Sequence, residues 1–208
     1  MLKDIFQHQL LEYHSQVIDL PDAELKYWPT FIDSGPAWAL FARLKEQTEW
    51  RQERITLYGN THNVPRLSSW VADAGADYGY SNMTMQAEPW SETLLKIKQE
   101  VEQTTGHTYN SVLLNYYRDG QDSNGWHSDD EPELGHNPVI ASLSLGQSRD
   151  FHLRHKTQKQ LKHQIALDNG SLLLMQGSTQ HHWQHHVPKR ANVGARINLT
   201  FRTIITSQ

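Results

Sequence analysis

The stretch that says most about the fold is RINLTFR, residues 196–202, near the end of the 208-residue chain. Polar and apolar residues alternate strictly along it, and side chains two apart on a β strand point to the same side of the sheet. One face would pack Ile197, Leu199 and Phe201 into a core. The opposite face would carry Arg196, Asn198, Thr200 and Arg202. The stretch therefore predicts a strand with one packed and one polar face.

Further strand candidates precede it, all short and separated by Gly, Asn and Asp. They cover residues 111–117, 139–145, 151–154 and 171–175. This spacing favours a β sandwich or barrel. Two helices are predicted earlier in the chain, over residues 38–46 and 90–104, and the second is capped by Ser91 and closed by Gly106. The sequence thus predicts a mainly β fold with flanking helices.

Composition limits the class of protein. Hydrophobic residues make up 37% of the chain and charged residues 20%, as in globular domains. No apolar run approaches the ~20 residues that span a bilayer, and the N-terminus lacks the layout of a signal peptide, so no membrane partner is expected. The absence of cysteine excludes disulfides and thiolate metal sites, and a reducing cytosol is the expected location.

The net charge of −4 hides an asymmetry along the chain. Residues 151–208 contain eight Lys or Arg and a single acid, Asp168, so the acidic excess lies earlier. Such a division can mark a surface that binds a polyanion. It can equally reflect attraction between two parts of one fold, and charge alone does not separate the two interpretations.

Two histidine-containing segments suggest a metal site. In His127-Ser128-Asp129, an imidazole and a carboxylate two residues apart would face one point on a strand. The segment HHWQHHVP, residues 181–188, offers four further imidazoles. One of them, with His127 and Asp129, would complete a 2-His-1-carboxylate facial triad, which is typical of non-haem Fe(II) oxygenases. The spacing alone does not select among the four.

Arg196 and Arg202 lie on the same face of the predicted last strand. Two inward-pointing guanidinium groups are costly unless anions meet them, and their forked donors match carboxylates. A dicarboxylate with one carboxylate near each arginine fits this arrangement. Structural salt bridges are the alternative, although Asp168 is the only acid in this part of the sequence.

In this order, the motifs resemble those of the AlkB family of Fe(II)- and 2-oxoglutarate-dependent dioxygenases, over about residues 55–204. The resemblance is closest to the animal-type DNA-repair members. Its most specific segments are GNTHNVPR (59–66), NYYRDG (115–120), WHSDDE (126–131), IASLSLG (140–146), WQH (183–185) and RINLTFR (196–202).

The resemblance implies a double-stranded β-helix, or jelly roll, with an N-terminal nucleotide-recognition lid. A single catalytic domain would cover residues 1–208. Its N-terminal extension, lid and supporting helices would occupy about 1–108, and the jelly-roll core about 109–208. The variable lid and the hairpin region near residues 156–163 would determine substrate choice.

The resemblance also assigns the ligands. Iron would be held by His127, Asp129 and His185, the last chosen by the family register around Trp183. The cosubstrate 2-oxoglutarate would contact Asn115, Tyr117, Arg196 and Arg202. Of these, Arg196 would meet the distal carboxylate and Arg202 the carboxylate beside the keto group.

Four residues match positions at which relatives meet the substrate. Asp130 would read the damaged base, because a carboxylate accepts from an exocyclic amino group and favours a cationic base. Tyr80 would stack on the flipped base, which is worth ~1–3 kcal/mol. Tyr58 would act as a wedge in the lid, and Arg66 would meet a phosphate. For each of the four, an ordinary structural role is the alternative.

The implied reaction uses Fe(II), O2 and 2-oxoglutarate to remove alkyl groups from nucleobases such as N1-methyladenine and N3-methylcytosine, releasing aldehyde, succinate and CO2. Alkylated DNA is the expected partner of a monomeric enzyme in the cytoplasm, at the nucleoid of a bacterium or in a nucleus. The basic segment 154–162 is a candidate for contacting the DNA backbone.

Four alternatives remain open on the sequence. They are the same chemistry on RNA, hydroxylation of a protein or small molecule, a non-enzymatic nucleic-acid-binding jelly roll, and a zinc enzyme on the same ligands. Asp130 and Tyr80 count against the second alternative, and the filled ligand positions count against the third. The paired arginines favour an oxo-acid cosubstrate over zinc chemistry.

Overall fold

A computed structural model describes residues 14–57, 59–74, 78–80, 83–85 and 87–205. Side chains are not described for residues 56–57, 78–80 and 83–85. The elements follow in the order β1 Gln16–Leu20, β2 Ala23–Trp28, α1 Ser34–Gln47, β3 Arg54–Leu57, β4 Asn60–Asn63, β5 Leu67–Ala72, β6 Tyr78–Tyr80, β7 Met83–Met85, α2 Glu92–Thr105, β8 Ser111–Tyr117, β9 Asn124–His127, a short 3-10 helix Pro132–Leu134, β10 Ile140–Gly146, β11 Arg149–His155, β12 Lys162–Leu167, β13 Leu172–Gln176, α3 Thr179–His182, β14 Trp183–Val187 and β15 Arg196–Arg202.

Two antiparallel sheets form the body of the molecule. The larger has seven strands in the order β1-β2-β13-β10-β15-β8-β5, and the smaller has four in the order β12-β11-β14-β9. A buried cluster joins them, with Leu113 and Met175 from the larger sheet and Leu153 and Trp183 from the smaller. Two short hairpins, β3–β4 and β6–β7, stand apart from both sheets. The predicted mainly β fold is confirmed.

Strand β15 shows why the larger sheet has two different faces. Its apolar side chains, Ile197, Leu199 and Phe201, pack in a second buried cluster that includes Leu40 of α1 and Ile97 of α2. The alternate residues of β15 face the interior between the two sheets. Because one face is covered by helices, the polar face can be reserved for a site.

The two long helices cover the outer face of the larger sheet. Helix α1 begins at Ser34, in the Ser34-Gly35-Pro36 segment that resembles a helix start just before the predicted apolar stretch. Helix α2 is closer to its prediction. The Oγ of Ser91 accepts a hydrogen bond from the backbone N–H of Leu94 at 3.2 Å, and Gly106 ends the helix with φ of 75°.

The N-terminal third contributes more to the sheet than the sequence suggested. Strand β2 lies between β1 and β13, and β5 forms the opposite edge beside β8. A boundary near residue 109 therefore does not separate supporting segments from the core, because three strands of the larger sheet come before it. Of these, β2 and β5 pair with segments about 40 to 150 residues away, so local pattern alone does not reveal their place in the sheet.

Within the described residues, no helix combines the length and the apolar character needed to cross a membrane.

Candidate metal and cosubstrate site

Three of the predicted ligands meet between the two sheets. His127 is the last residue of β9 and pairs with His185 in the middle of β14. Their Nε2 atoms are 3.2 Å apart. The Asp129 carboxylate lies 4.0 Å from Nε2 of His127 and 3.9 Å from Nε2 of His185. Since all three separations are below about 4.2 Å, one ion about 2.1 Å from each donor fits between them.

The predicted strand geometry of the His-x-Asp motif is wrong in one respect. Strand β9 ends at His127, and Asp129 follows in a bend. Its position is set from elsewhere in the chain, because the Asp129 N–H donates to Oε1 of the fully buried Gln180 at 2.9 Å. No pattern near residue 129 could have indicated this partner, which lies 51 residues away.

A hydrogen bond fixes the tautomer of His127. Its Nδ1 lies 2.8 Å from the carbonyl oxygen of Gly125, which can only accept, so Nδ1 carries the proton. The lone pair is then on Nε2, the atom that faces His185 and Asp129. Burial lowers the pKa of His127, and burial together with His127 lowers the pKa of His185 to about 3. Both rings are neutral at pH 7, as metal ligands must be.

Asp129 is a permanent anion in this cluster. Burial would raise the pKa of its carboxyl, but Arg202 and the two histidines lower that pKa to about 2. The Nη2 of Arg202 donates to Asp129 Oδ1 at 2.7 Å. Two neutral imidazoles and one carboxylate form a donor set that suits Fe(II) and leaves coordination positions open.

The side chains of the four histidines in residues 181–186 have different neighbours. His185 is buried and faces the cluster, whereas His186 stacks on Trp126 with ring centroids 3.8 Å apart. His182 lies beside His155, with ring centroids 5.7 Å apart. His181 accompanies His136 and Asn137. Of these four, His185 is the one that joins the metal cluster.

A second cluster of the same composition lies outside this site. Asp22, His155 and His182 each offer a donor atom within 4.8 Å of the others. Nδ1 of His155 accepts from the backbone N–H of Gln158 at 3.0 Å, and its Nε2 lies 3.3 Å from Asp22 Oδ2. Nε2 of the neutral ring therefore carries the proton and donates to the carboxylate, so its lone pair is not available to a metal.

A buried guanidinium marks the other end of the pocket. Arg196 is at the start of β15, and Arg202 is at its end beside Asp129. Nη2 of Arg196 donates to Ser144 Oγ at 2.9 Å, but its Nε and Nη1 have no hydrogen-bond partner within the described residues. Burial lowers the pKa of Arg196 to about 10, so it stays charged at pH 7. A carboxylate is the anion that such a fork fits.

The remaining predicted cosubstrate residues lie in the same pocket. Asn115 and Tyr117, on β8, line it together with the triad and both arginines. The Arg196 guanidinium lies 5.3 Å from the centre of the Tyr117 ring. Strand β8 pairs with β15 so that Arg196 is opposite Tyr117 and Asn198 is opposite Asn115, which explains why these residues share a face.

Arg66 does not occupy the surface position that a phosphate contact requires. It is 7% exposed and lines the pocket. Its Nε donates to Asn115 Oδ1 at 2.6 Å. The phosphate contact was what the family resemblance implied, whereas the next residue, Leu67, begins β5 beside β8.

Of the other predicted substrate residues, Asp130 is the one whose side chain the structure describes. Asp130 is exposed, and its Oδ2 accepts from Lys156 Nζ at 2.9 Å. Tyr80 ends β6, and its side chain is not among those described. Tyr58 lies outside the described residues. The sequence also missed Gln180 and Ser144, which have no local motif and hold Asp129 and Arg196 in place.

Comparison with known proteins identifies the family. Residues 24–202 match the model of the 2OG-Fe(II) oxygenase superfamily. The chain belongs to this superfamily. Its members use Fe(II), 2-oxoglutarate and O2, and the predicted cofactors are confirmed at this level. The donor set at His127, Asp129 and His185 and the unsatisfied Arg196 fit a divalent iron and a carboxylate, respectively.

Individual oxygenases of the AlkB type are similar over most of the chain. It is 43% identical over 187 residues to alpha-ketoglutarate-dependent dioxygenase alkB homolog 3 of Rattus norvegicus, covering 85% of this chain and 63% of that protein. It is 40% identical over 180 residues to DNA oxidative demethylase ALKBH2 of Homo sapiens, covering 81% of this chain and 69% of that protein. The predicted AlkB resemblance is confirmed.

The fold agrees with a solved oxygenase structure. The structure of OsALKBH1 superposes with a TM-score of 0.65 and covers 90% of this chain and 100% of that one. At 15% identity, this similarity concerns the fold alone. The jelly-roll prediction is confirmed.

Proposed function

We propose that the chain is a single-domain enzyme that oxidatively removes alkyl groups from nucleobases in DNA, N1-methyladenine and N3-methylcytosine among them. It would use Fe(II), O2 and 2-oxoglutarate and release aldehyde, succinate and CO2. One observation carries the proposal. Two neutral histidines and an ionised aspartate share a pocket with the buried Arg196, whose Nε and Nη1 have no hydrogen-bond partner within the described residues. The names of the relatives, which include DNA oxidative demethylase, support DNA as the substrate.

His127, Asp129 and His185 would hold the iron. Bound iron with 2-oxoglutarate supplies the oxidation of a C–H bond by O2. The chain contributes orientation: the Gly125 carbonyl holds the His127 ring, and Gln180 holds the backbone of Asp129. Outer contacts of this kind fix the direction of metal ligands.

The cosubstrate would lie along β15. Arg196 would bind the distal carboxylate with its Nε and Nη1, and Asn115 and Tyr117 would line the binding site. Arg202 would adjoin the carboxylate near the metal while it keeps its hydrogen bond to Asp129. Because these side chains come from paired strands, the pocket is already formed before the cosubstrate binds.

The base would enter beside Asp130. A base within a duplex cannot reach a pocket between two sheets, so it must be flipped out or come from a single strand. The exposed Asp130 carboxylate would accept from its exocyclic amino group, and Tyr80 and Tyr58 are the proposed lid contacts. One chain supplies the whole pocket, and we expect a monomer to act wherever DNA is present.

The outer face of the smaller sheet supports a polyanionic substrate. Arg154 and Lys162 face each other across β11 and β12, and neither forms an ion pair with an acid in the described part of the chain. In the same basic segment, Lys156 is occupied by Asp130, and the Lys159 ammonium binds a backbone carbonyl. Arg154 donates from Nε and Nη2 to Gln184 Oε1 at 3.0 and 2.9 Å, but no described carboxylate neutralises its charge. Arg154 and Lys162 are therefore the two residues of this basic segment proposed to attract a DNA backbone.

Mass spectrometry tests the reaction. A single-stranded DNA oligonucleotide with one N3-methylcytosine is incubated with the protein, Fe(II), 2-oxoglutarate and ascorbate. We expect the loss of one methyl group, which requires each component and disappears in His127→Ala. An RNA oligonucleotide of the same sequence is the parallel substrate. Demethylation of the RNA alone would replace DNA by RNA in the proposal, and the absence of succinate would contradict the oxygenase site itself.

Salt dependence tests the backbone contact. Arg154→Gln with Lys162→Gln should flatten the dependence of DNA affinity on salt, because each lost phosphate contact lowers the slope by about 0.7 for single strands. Lys96→Gln on α2 is the matched control, since it removes one positive charge from a helix on the far side of the larger sheet. An unchanged slope in the double variant would exclude this face from the interface.

A further inference from the structure

One ion pair beside the candidate site has no part in the proposed chemistry. Lys156 Nζ donates to Asp130 Oδ2 at 2.9 Å and to the backbone carbonyl of Gln180 at 2.8 Å. The Lys156 backbone N–H donates in turn to the carbonyl of His182 at 2.7 Å. Two acceptors thus hold the ammonium and a third holds the backbone of Lys156, at the point where β11 meets α3.

This pair touches the metal cluster through its neighbours. Asp130 follows Asp129 directly, and the same Gln180 whose carbonyl binds Lys156 holds the N–H of Asp129. The side chains of Lys156 and Asp130 are 28% and 48% exposed, so a ligand can reach the carboxylate. Oδ2 is occupied by the lysine, whereas Oδ1 makes no hydrogen bond to any described residue.

An ammonium beside this carboxylate changes what Asp130 offers to a base. A neutral base can donate its amino group to Oδ1 while Lys156 stays in place. A cationic base would either meet the positive charge of Lys156 nearby or displace it from Oδ2. In both cases Lys156 disfavours the cation relative to the neutral base, because like charges this close repel.

We propose that Lys156 is a positioning residue for Asp130 and its internal counter-ion, and that it sets how strongly the enzyme prefers cationic over neutral alkylated bases. This inference rests on the proposed function, in which Asp130 reads the base. With Lys156 present, the site accepts a wider range of lesions than an uncompensated carboxylate would. Lys156 therefore limits charge selectivity, although it belongs to neither the iron nor the cosubstrate site.

Binding without turnover tests the inference. The protein is loaded with Fe(II) and 2-oxoglutarate in the absence of oxygen, and fluorescence anisotropy measures its affinity for three oligonucleotides. They carry N3-methylcytosine, which is cationic, N4-methylcytosine, which is neutral and keeps an exocyclic N–H donor, or unmodified cytosine. We expect Lys156→Met to raise the preference for the cationic over the neutral lesion by about 2- to 5-fold, the range of an exposed ion pair. Lys156→Arg should restore the original ratio.

Two controls separate charge selectivity from structural damage. Lys159→Met removes the same charge three residues away and should leave the ratio unchanged, since Lys159 Nζ contacts only a backbone carbonyl. In an Asp130→Asn background, Lys156→Met should no longer alter the ratio, as a double-mutant cycle requires for a pair acting together. Lys156→Gln serves as the second neutral variant should Lys156→Met fold poorly.

The outcomes distinguish the two proposals. An unchanged or lower ratio in Lys156→Met, with lesion-selective binding retained by the wild type, overturns the role of Lys156 alone. An equal rise in Lys159→Met, or in the Asp130→Asn background, overturns it as well. Equal affinity of the wild type for all three oligonucleotides contradicts base recognition itself, and the inference falls with it.

Discussion

The described part of the molecule contains two His–Asp–His clusters, and one of these two is suited to a metal. In the first, His127 Nδ1 donates to a backbone carbonyl, which leaves the Nε2 lone pair facing Asp129. In the second, His155 Nδ1 accepts from a backbone N–H, which leaves a proton on Nε2 facing Asp22. The two clusters contain the same residue types. Whether the backbone group at Nδ1 accepts or donates a hydrogen bond determines whether Nε2 has a lone pair for a metal.

The aspartate of the first cluster is also more deeply buried than that of the second. Asp129 is 1% exposed and is held by Arg202 and Gln180, whereas the side chain of Asp22 is 46% exposed. The first cluster has a fixed, dehydrated geometry that suits a small divalent ion. The second joins the β1–β2 turn to the smaller sheet, as does the bond from Trp183 Nε1 to the Pro21 carbonyl. Composition alone therefore does not identify a metal site.

The largest expected difference between the two clusters is in their affinity for a metal ion. Equilibrium dialysis with Fe(II) under nitrogen should find one ion per chain in the wild type. His185→Ala should weaken its binding at least about 100-fold, because losing even an outer partner of a ligand costs roughly 10- to 100-fold. His155→Ala should leave the stoichiometry and affinity unchanged. Two ions per chain, with one lost in each variant, would refute the assignment by tautomer.

The next largest expected difference is in the free energy of unfolding that is lost when Asp129 or Asp22 is replaced. Asp129→Asn leaves Arg202 buried without its counter-ion, which should lower the free energy of unfolding by about 3–5 kcal/mol. Asp22→Asn loses an exposed partner of His155 and should cost less than about 1 kcal/mol. Asparagine tolerates the left-handed backbone at residue 22, where φ is 57°. Urea denaturation of the metal-free protein gives both values, and equal losses would contradict the difference in burial.

Acid should reveal a smaller effect. Burial and His127 lower the pKa of His185 in the folded protein to about 3, whereas the pKa in the unfolded chain is about 6.5. Between these two values the unfolded chain binds a proton at His185 and the folded protein does not. Stability from this neutral ring is complete above the unfolded value and is lost as the pH falls toward 3. Between pH 7 and 5 the metal-free protein should lose about 2 kcal/mol through this residue.

The variant His185→Gln should remove that share of the pH dependence. It keeps a side chain of similar size on β14 and does not titrate. Urea midpoints at pH 7 and pH 5 compare the wild type with the variant. If both proteins lose the same stability over this interval, His185 is not held neutral by the fold.

The faces of the sheets were predictable because alternation is local. RINLTFR separates into a packed and a polar face as expected, and β8 covers residues 111–117 as predicted. The choice of His185 could have been made in the same way. It shares its parity on β14 with Trp183 and Val187, which are buried and point inward. The apolar neighbours, rather than the histidines, determine which ring turns to the interior.

Contacts between residues that lie far apart in the chain could not be predicted from the sequence. The N-terminal strands were not predicted because β2, on which β1 pairs, is placed in the sheet by β13, almost 150 residues later. Gln180 and Ser144 have ordinary polar side chains, and their roles arise only when the fold brings them to Asp129 and Arg196. Arg66 was misplaced because its partner, Asn115, is on the neighbouring strand.

The bond between Arg202 and Asp129 bears on iron supply. A buried carboxylate needs a positive partner, and here the chain provides one from its own last strand. The charge of Asp129 is therefore balanced in a newly made chain that has not yet met iron. We expect the metal-free chain to be folded before it binds iron, so that synthesis and metal loading are separate events.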